Sequence, residues 1–322
     1  MSEIDDASPL LATHDDMPHT RDVAVCICTY NRPEQLRQLL DAIADIVEQQ
    51  QPLRRFDVVV VDDGSPGPAR AVVDDVAARF SGTIHYRHVG SSNVAIARNT
   101  AITTGMELAP WLALVDDDCV PDPDWLTHLI EVQERTGADI VTGHVSYTTP
   151  PGAPSWLRDE PFCTFTTYTD GEEPTFGTTA NAFVSSAFLR TSGVRFRTSL
   201  GNTGGEDMTF FDDVRKAGGR LRYSAKSVVY EELPPARQRL PYQLYRQMWL
   251  GNNMAEINRH TREWPTYRLV LRGGKWVVTA WTDALARLVR ARPTQWRWAL
   301  AVSLRGVGLI LGVAGVRLKH RP

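Results

Sequence analysis

The amino-acid sequence predicts an α/β fold, with a mostly parallel twisted sheet flanked by helices and a C-terminal helical extension. Short apolar runs alternate with amphipathic stretches between residues 23 and 115, which is typical of βα units. The apolar runs are continuous rather than alternating, as expected for strands covered by helices on both faces. A chain of 322 residues can bury a sizeable core as one large domain or two smaller ones.

The first half of the chain supplies the regular alternation. Each predicted strand is a β-branched or otherwise apolar run, and each predicted helix has apolar residues at helical spacing. In order, strands and helices alternate over VAVCICTY (23–30), RPEQLRQLLDAIADIVEQQ (32–50), FDVVVVDDGSPG (56–67), 68–80, TIHYRHV (83–89), NVAIARNTAITTG (93–105) and WLALV (111–115).

The second half gives a more mixed pattern. Residues 150–175 are loop-like because Pro, Gly and Thr interrupt any periodicity. The remaining expectations are a strand at DIVTGHVSY (139–147), a strand and a short helix over 176–193, a helix over 204–219, a strand over 220–232, and helices over 242–262 and 266–292.

The two ends of the chain differ in charge. Residues 1–20 contain acids and no Lys or Arg, and we expect a flexible arm there. Residues 259–322 contain thirteen Lys or Arg and two acids, so we expect this end of the chain to bind an anionic partner. The formal net charge of the whole chain is only −3, which argues against a nucleic-acid partner.

Cysteine usage and the N-terminus indicate the compartment. The four cysteines lack the spacing of a zinc site. The N-terminus lacks a basic segment followed by an apolar one, which a secretory signal would need. We therefore expect a cytoplasmic protein.

Three polar clusters follow predicted strands: TYNRP, DDGS and DDD (116–118). Because the carboxyl ends of parallel strands meet at one edge of a sheet, ligands bind beyond that edge. Three adjacent carboxylates repel one another, so a buried strand that ends in them needs a cation or polar ligand nearby. The sequence therefore predicts a ligand site at this edge.

Six segments occur in the order found in family 2 glycosyltransferases: CTYNRPEQL, VVVVDDGS, AIARNTAI, ALVDDDCVPDPDWL, TTANAFVSSAFLRTSG and GGEDMTFFDDVRKAGG. The chain resembles this family, and in particular bacterial enzymes of cell-surface glycan synthesis, over roughly residues 22–250. The resemblance implies the GT-A fold, a Rossmann-like nucleotide-binding half joined to an acceptor half. It implies a catalytic domain over 21–250 and leaves a basic, Trp-rich helical tail over 251–322.

The resemblance also implies the reaction. An inverting, metal-dependent enzyme of the hexosyltransferase type would move a sugar from a nucleotide-sugar donor, expected to be UDP-linked, to a hydroxyl of a glycan or polyprenyl-linked glycan acceptor. Two other functions fit the same architecture, a sugar-phosphate nucleotidyltransferase and a non-catalytic sugar-binding protein. A dinucleotide dehydrogenase is disfavoured because no GxGxxG follows the first strand.

The acidic triplet resembles the family's DxD element, which joins a diphosphate to the protein through a divalent cation, Mn²⁺ or Mg²⁺. The resemblance assigns Asp118 to the metal and Asp116 or Asp117 to the ribose hydroxyls. Many relatives carry a His after the strand that follows the ED helix, but this chain has Glu231, an alternative oxygen ligand. The other interpretation is an exposed acidic turn in which Asp122 or Asp124 caps the next helix.

Residues at the ends of the first two strands resemble the family's base-binding residues. Thr29 and Asp63, with Asp62, would read the edge of uracil, and Tyr30 would offer an aromatic face. The alternative is that DDGS is only a strand-ending turn. Arg98 resembles an arginine near the nucleotide, whereas the alternative for it is a surface salt bridge.

The segment GGED predicts a helix that begins with two acids. In the family the Asp of this pair is the general base, which is Asp207 here, and Glu206 would hold acceptor or donor hydroxyls. The two preceding glycines would allow close approach of a ligand. A capping role for one of the acids is the alternative.

Two further residues have weaker matches. QLYRQMW resembles the QxxRW element of processive synthases except that Gln247 replaces Trp, so Arg246 is a candidate diphosphate ligand or an ordinary surface charge. Asn181 matches a donor- or acceptor-contacting stretch, or it is a turn or cap residue.

The tail suggests a membrane surface. Val277, Trp281, Leu285 and Leu288 have helical spacing, and residues 298–316 form an apolar segment interrupted by Arg305. An arginine in mid-segment is costly inside a bilayer, so a peripheral helix on anionic lipid, at the inner face of the plasma membrane, competes with a spanning helix and with a helix that packs on the protein. The glycines of GLILG, at 308 and 312, are a weak helix-packing signal.

Overall fold

The computed structural model describes residues 22–49, 56–67, 69–164, 166–261 and 264–319, and the expected acidic arm lies outside them. Within these ranges the chain forms one eight-stranded sheet flanked by helices. The strands are β1 (Val23–Thr29), β2 (Phe56–Asp62), β3 (Thr83–His88), β4 (Trp111–Asp116), β5 (Cys119–Pro121), β6 (Ile140–Thr148), β7 (Asn181–Ser185) and β8 (Leu221–Glu232). The helices are α1 (Pro33–Gln49), α2 (Ala69–Ala77), α3 (Val94–Leu108), α4 (Trp125–Thr136), α5 (Trp156–Asp159), α6 (Ser186–Ser192), α7 (Glu206–Lys216), α8 (Leu240–Thr261), α9 (Thr266–Val289) and α10 (Trp296–Val313).

The sheet has the order β3-β2-β1-β4-β7-β6-β8-β5. The first four strands are parallel, as the alternating pattern predicts. Strand β7 then runs antiparallel between β4 and β6, and β5 runs antiparallel at the far edge beside β8. The predicted α/β fold is confirmed, with a parallel first half and a mixed second half.

The parallel strands are buried on both faces, which explains their continuous apolar sequences. In β1, Val25 and Ile27 face a core shared with α1 and α2, whereas Ala24 and Cys26 face a second core beneath α3. Helix α3 lies close to the sheet because Gly105 has no side chain; a Cβ there would come within 2.8 Å of Cys26 Sγ.

The register brings the predicted polar clusters to one edge. Thr29 pairs with Asp62, and Cys28 pairs with Asp116, so β1, β2 and β4 end at the same level. Strand β8 pairs with β5 so that Glu231 lies opposite Cys119. Five sequence segments therefore meet at the carboxyl edge of the parallel strands.

The C-terminal helices pack on one another, and α8 joins them to the part of the chain that forms the sheet. The boundary expected at residue 250 falls inside α8, which continues to Thr261. Helix α10 contacts both α8 and α9. A Cβ on Gly308 would collide with the carbonyl oxygen of Met248, and one on Gly312 would come within 2.7 Å of Ala255 Cβ. These two glycines therefore allow the close α8–α10 contact.

The arginine in the middle of the apolar segment has a partner inside the protein. Arg305 Nε donates to Gln247 Oε1 at 2.8 Å, and its guanidinium lies over the rings of Trp276 and Trp298. By length and composition α10 could cross a membrane, and 33% of its residues are buried.

Candidate active site

A buried arginine, Arg98, connects three carboxylates at the carboxyl edge of the sheet. From the second turn of α3, Nη1 donates to Glu206 Oε1 at 2.6 Å and to Asp207 Oδ1, and Nη2 donates to Asp116 Oδ1 at 3.1 Å. The side chain is only 12% exposed, so this is not a surface salt bridge. Burial alone would lower the pKa of Arg98, but Asp207, Asp116 and Glu206 raise it well above its usual value, and the guanidinium stays charged.

The acids of GGED are the first two residues of α7. Asp207 Oδ2 accepts a hydrogen bond from the Thr179 hydroxyl at 2.8 Å, so the carboxylate is oriented by Arg98 on one side and Thr179 on the other. Burial raises the pKa of Asp207, and the Arg98 charge opposes that rise. Burial, together with the charge of Asp207, raises the pKa of Glu206 to about 7. Thr179 was not identified from the sequence.

The two glycines before α7 serve a different purpose from the one expected. Both have positive φ, 86° at Gly204 and 92° at Gly205, which favours glycine. A Cβ on Gly204 would collide with Trp249, and one on Gly205 would come within 2.8 Å of Ile257. The glycines therefore admit helix α8, not a ligand, and fix where α7 begins.

The other two acids of the triplet share a second arginine. Arg32 Nη1 lies 2.8 Å from Asp117 Oδ1 and 2.8 Å from Asp118 Oδ2. Burial raises the pKa of Asp117 to about 6, and Arg32 opposes this shift. Arg98 thus offsets the charge of Asp116, whereas Arg32 offsets that of Asp117 and Asp118. Arg32 was not identified from the sequence, where its one signal is its place in the polar cluster after β1.

A candidate cation site lies beside the triplet. Ligand atoms of Asp118, Cys119 and Glu231 all lie within 4.8 Å of one another. Burial and then the charge of Asp118 raise the pKa of Glu231 to about 7. The Cys119 thiol is buried, and burial raises its pKa well above the usual value. The two carboxylates are the hard oxygen donors that Mg²⁺ and Mn²⁺ prefer.

A third arginine occupies this place. Arg237 Nη1 lies 3.1 Å from Glu231 Oε1 and 3.8 Å from Asp118 Oδ2. Arg237 was also missed, because nothing in PPARQR distinguishes it from its neighbour Arg239. The carboxylates fit a divalent cation once this guanidinium turns away.

The predicted base-binding residues lie at the ends of β1 and β2. Tyr30 is exposed, with its ring available to a ligand, and Thr29 is buried beside Asp117. Asp62 is buried and accepts hydrogen bonds from the backbone N–H groups of Gly64 and Ser65.

The Tyr86 hydroxyl also donates to Asp62, at 2.7 Å. The carboxylate of Asp62 is thereby used in closing the turn, as the alternative interpretation of DDGS expected. Asp63 Oδ1 accepts from the backbone N–H and hydroxyl of Ser91, at 2.9 and 2.5 Å.

Asn181 is a correction to the predicted site. It is fully buried at the start of β7, and its amide nitrogen donates to the carbonyl oxygens of His144 and Ser227, both at 3.1 Å. The Ser227 hydroxyl donates to its amide oxygen. These bonds close the irregularity between Gly143 and His144 in the β6–β8 pairing, so the buried amide of Asn181 is used in holding the sheet together.

Arg246 lies near the candidate cation site and is not an ordinary surface charge. It projects from α8, donates to the Tyr147 hydroxyl at 2.9 Å and lies over the Tyr147 ring. Its charge also acts on Glu231, whose pKa it lowers. Arg246 therefore adds positive charge beside Glu231. Tyr147 was not identified from the sequence.

The helix after the triplet begins as predicted, at α4. Asp124 occupies the N-cap position, and Asp122 Oδ1 accepts the Asp124 N–H at 3.2 Å. Asp122 and Asp124 therefore belong to the turn that begins α4, and they are separate from the acids that pair with Arg32 and Arg98.

Comparison with known proteins agrees with this geometry. The family described as glycosyl transferase family 2 matches residues 24–193, and glycosyl transferase family group 2 matches residues 111–314. The succinoglycan biosynthesis protein ExoM of Rhizobium meliloti is 33% identical over 307 residues, which cover 94% of this chain and 96% of that protein. The glycosyltransferase AglE of Haloferax volcanii is 30% identical over 142 residues, 44% of each chain.

Solved structures share the fold. Residues 1–349 of S. aureus TarS match with a TM-score of 0.52 and 17% identity, over 92% of each chain. GalNAc-T7, solved with UDP, GalNAc and Mn²⁺, matches with a TM-score of 0.55 and 14% identity over 74% of this chain and 51% of that one. These matches establish the GT-A fold. The chain belongs to glycosyltransferase family 2, and it is a glycosyltransferase.

Proposed function

We propose that this glycosyltransferase moves a sugar, with inversion, from a UDP-linked donor to a hydroxyl of a glycan or polyprenyl-linked glycan acceptor during cell-surface polysaccharide synthesis. The observation that carries this proposal is the contact of Arg98 with Asp116 on one side and Glu206 and Asp207 on the other. It joins the end of β4, where donors bind in this fold, to the helix that supplies the base.

The named relatives support the finer parts of the proposal. ExoM is named for succinoglycan biosynthesis, and TarS has been solved with UDP and with UDP-GlcNAc. No feature of the described residues favours the nucleotidyltransferase or the non-catalytic binding protein over the transferase.

Asp207 has the properties of a general base for the acceptor. Its carboxylate can accept further hydrogen bonds besides those from Arg98 and Thr179. As the acceptor oxygen attacks the anomeric carbon, Asp207 takes the hydroxyl proton. The bond from that carbon to the diphosphate oxygen breaks on the opposite face, and the nucleoside diphosphate leaves with the electron pair. Glu206 is placed to hold a sugar hydroxyl beside it.

The donor would lie along the edge from β2 to β8. The exposed ring of Tyr30, with Thr29 and Asp63, lies at the end proposed for the base. Asp116 or Asp117 would bind the ribose hydroxyls. Arg246 lies at the other end, where a diphosphate would meet its guanidinium.

Asp118 and Glu231 would hold a divalent cation, Mn²⁺ or Mg²⁺. When bound, such an ion would neutralise the negative charge of the departing diphosphate. The donor set supports this assignment because both carboxylates face the same small space.

A lipid-linked acceptor implies work at a membrane surface. We place the enzyme in the cytoplasm, peripheral on the inner face of the plasma membrane. This location rests on the basic, tryptophan-bearing tail.

The test is transfer from UDP-sugars by Asp207→Asn. We expect UDP release with an acceptor to fall by about 10²–10⁴-fold, the range for loss of a general base, while UDP binding is retained. Asp212→Asn, in the same helix and paired with exposed Lys216, is the matched control. Inversion is read from the anomeric proton of the product by NMR. Full turnover by Asp207→Asn, or release of pyrophosphate instead of UDP, would refute the proposal.

A further inference from the structure

Helix α9 carries a continuous apolar stripe that faces away from the protein. Successive exposed residues are one, three, four or seven positions apart, and at about 100° per residue these spacings place all of them on one side of the helix. Their side chains are between 39% and 79% exposed. The α9 stripe consists of Tyr267, Val270, Leu271, Val278, Trp281, Leu285, Leu288 and Val289.

The opposite side of α9 is the one that packs on α10. Leu269, Gly273 and Ala284 are buried, and a Cβ on Gly273 would come within 2.9 Å of the carbonyl oxygen of Gly306. Val277, expected to share a face with Trp281, turns towards Gly306 instead. The α9 stripe is therefore the outer face of the helical layer, and an apolar surface of this length is unusual on a soluble monomer.

Charge indicates what covers the stripe. Arg268, Arg272 and Lys275, spaced four and three residues apart, line one edge of it. The region from residue 259 onwards has thirteen Lys or Arg and two acids, so a second copy of the chain would bring like charges together. An anionic surface with an apolar interior suits both features.

Aromatic side chains support the same partner. Trp264, Tyr267, Trp281 and Trp296 are all partly exposed along this layer. Tryptophan and tyrosine favour the boundary between lipid headgroups and acyl chains, because each combines an apolar ring with a polar group.

We propose that the α9 stripe is a docking surface for an anionic lipid bilayer, with α9 lying in the plane of the headgroups. Helix α10 then does not span the membrane, since it is held between α8 and α9 and its Arg305 is bonded to Gln247. The inference deepens the proposed peripheral location, but it does not depend on the donor or on the transfer chemistry.

The experiment is flotation of the full chain with vesicles. Wild type is expected to float with vesicles of phosphatidylcholine and phosphatidylglycerol in equal parts, to bind phosphatidylcholine alone far more weakly, and to be released by salt. Leu285→Gln with Leu288→Gln should weaken binding by about tenfold or more. Neutralising Arg268, Arg272 and Lys275 with Gln should remove the preference for anionic vesicles.

Matched controls separate docking from folding. Arg37, Arg70 and Arg79 lie on exposed parts of α1 and α2 or just after α2, and replacing them with Gln removes the same charge without touching the stripe. This triple variant should float like wild type, and all variants should keep UDP binding.

Three outcomes would overturn the proposal. One is wild type that binds neither vesicle, and another is binding that the leucine variants leave unchanged. The third is a concentration-dependent dimer that the leucine variants abolish, which would make the stripe a contact between copies. Wild type that binds vesicles but transfers no sugar from a UDP-linked donor would instead count against the proposed function.

Discussion

Arg237 donates a hydrogen bond to Glu231 over 3.1 Å, at the place where the geometry would admit a divalent cation. The same guanidinium nitrogen is 3.8 Å from Asp118. The site is therefore charge-balanced by arginines, and a cation must compete with Arg237 for the two carboxylates.

The first prediction follows from this competition. Arg237→Gln should bind Mn²⁺ more tightly than wild type in the absence of nucleotide, because the competing charge is gone. A partly exposed pair contributes about 1 kcal/mol, so we expect a gain of about fivefold by calorimetry. Arg239→Gln, an exposed arginine two residues along, is the control and should not change the affinity. Weaker Mn²⁺ binding by Arg237→Gln would show that Arg237 does not compete for this site.

The second prediction concerns the pH dependence of cation binding. Burial and the charge of Asp118 raise the pKa of Glu231 to about 7, so a proton competes with the cation below that pH. The apparent affinity for Mn²⁺ should fall as pH decreases from about 8 to about 6. In Glu231→Gln the affinity should be lower throughout and its pH dependence over this range reduced. An unchanged pH profile in that variant would assign the competing proton to another group.

The sequence allowed the parallel half of the fold to be predicted because each strand there has its own apolar run and its own helix. It could not give the position of β7, since an apolar strand such as Asn181–Ser185 does not reveal its neighbours or its direction. In the site, Arg98 lies against the buried Glu206 rather than in the surface salt bridge that was its alternative interpretation, and its role towards a nucleotide stays a prediction.

The bonds that the sequence could not reveal have a common physical origin. Whether a polar residue faces a ligand depends on which groups already bond it, as Asp62 and Asn181 show. From the sequence alone, Gly204 and Gly205 could make room for a ligand or for a neighbouring helix. Only the position of α8 distinguishes the two interpretations. Arg32 and Arg237 are long flexible side chains, and their partners lie 85 and 6 residues away in the chain.

The third prediction uses Glu206 as a probe of stability. Burial and the charge of Asp207 raise its pKa to about 7 in the folded state, whereas an unfolded Glu has a pKa of about 4.3. The folded state therefore binds more protons between these values, and its stability falls as pH rises through this window.

Glu206→Gln should remove much of this decrease and be more stable than wild type at about pH 8, by on the order of 2 kcal/mol. Urea unfolding at about pH 5 and pH 8 measures the difference. Equal slopes against pH in the two proteins would mean that Glu206 is already ionised in the native state at low pH.

The fourth prediction tests the α8–α10 contact that links the tail to the catalytic part of the chain. Gly308→Ala should lower the free energy of unfolding by about 1–3 kcal/mol, because its Cβ would collide with the Met248 carbonyl oxygen in a helix backbone that cannot give way locally. Gly274→Ala is the matched control, since nothing lies within 4 Å of a Cβ at that position of α9. It should be neutral or stabilise by about 0.5–1 kcal/mol, through the lower backbone entropy of unfolded alanine.

Thermal and urea unfolding of the two alanine variants, with limited proteolysis of residues 264–319, compare the effects directly. If both variants behaved alike, the approach of α10 to α8 would not depend on glycine. If α10 packs less tightly in Gly308→Ala, the hydrogen bond from Arg305 to Gln247 should also weaken. Gln247 is the residue after Arg246 in the chain. We therefore expect a weaker affinity for UDP in that variant and an unchanged one in Gly274→Ala.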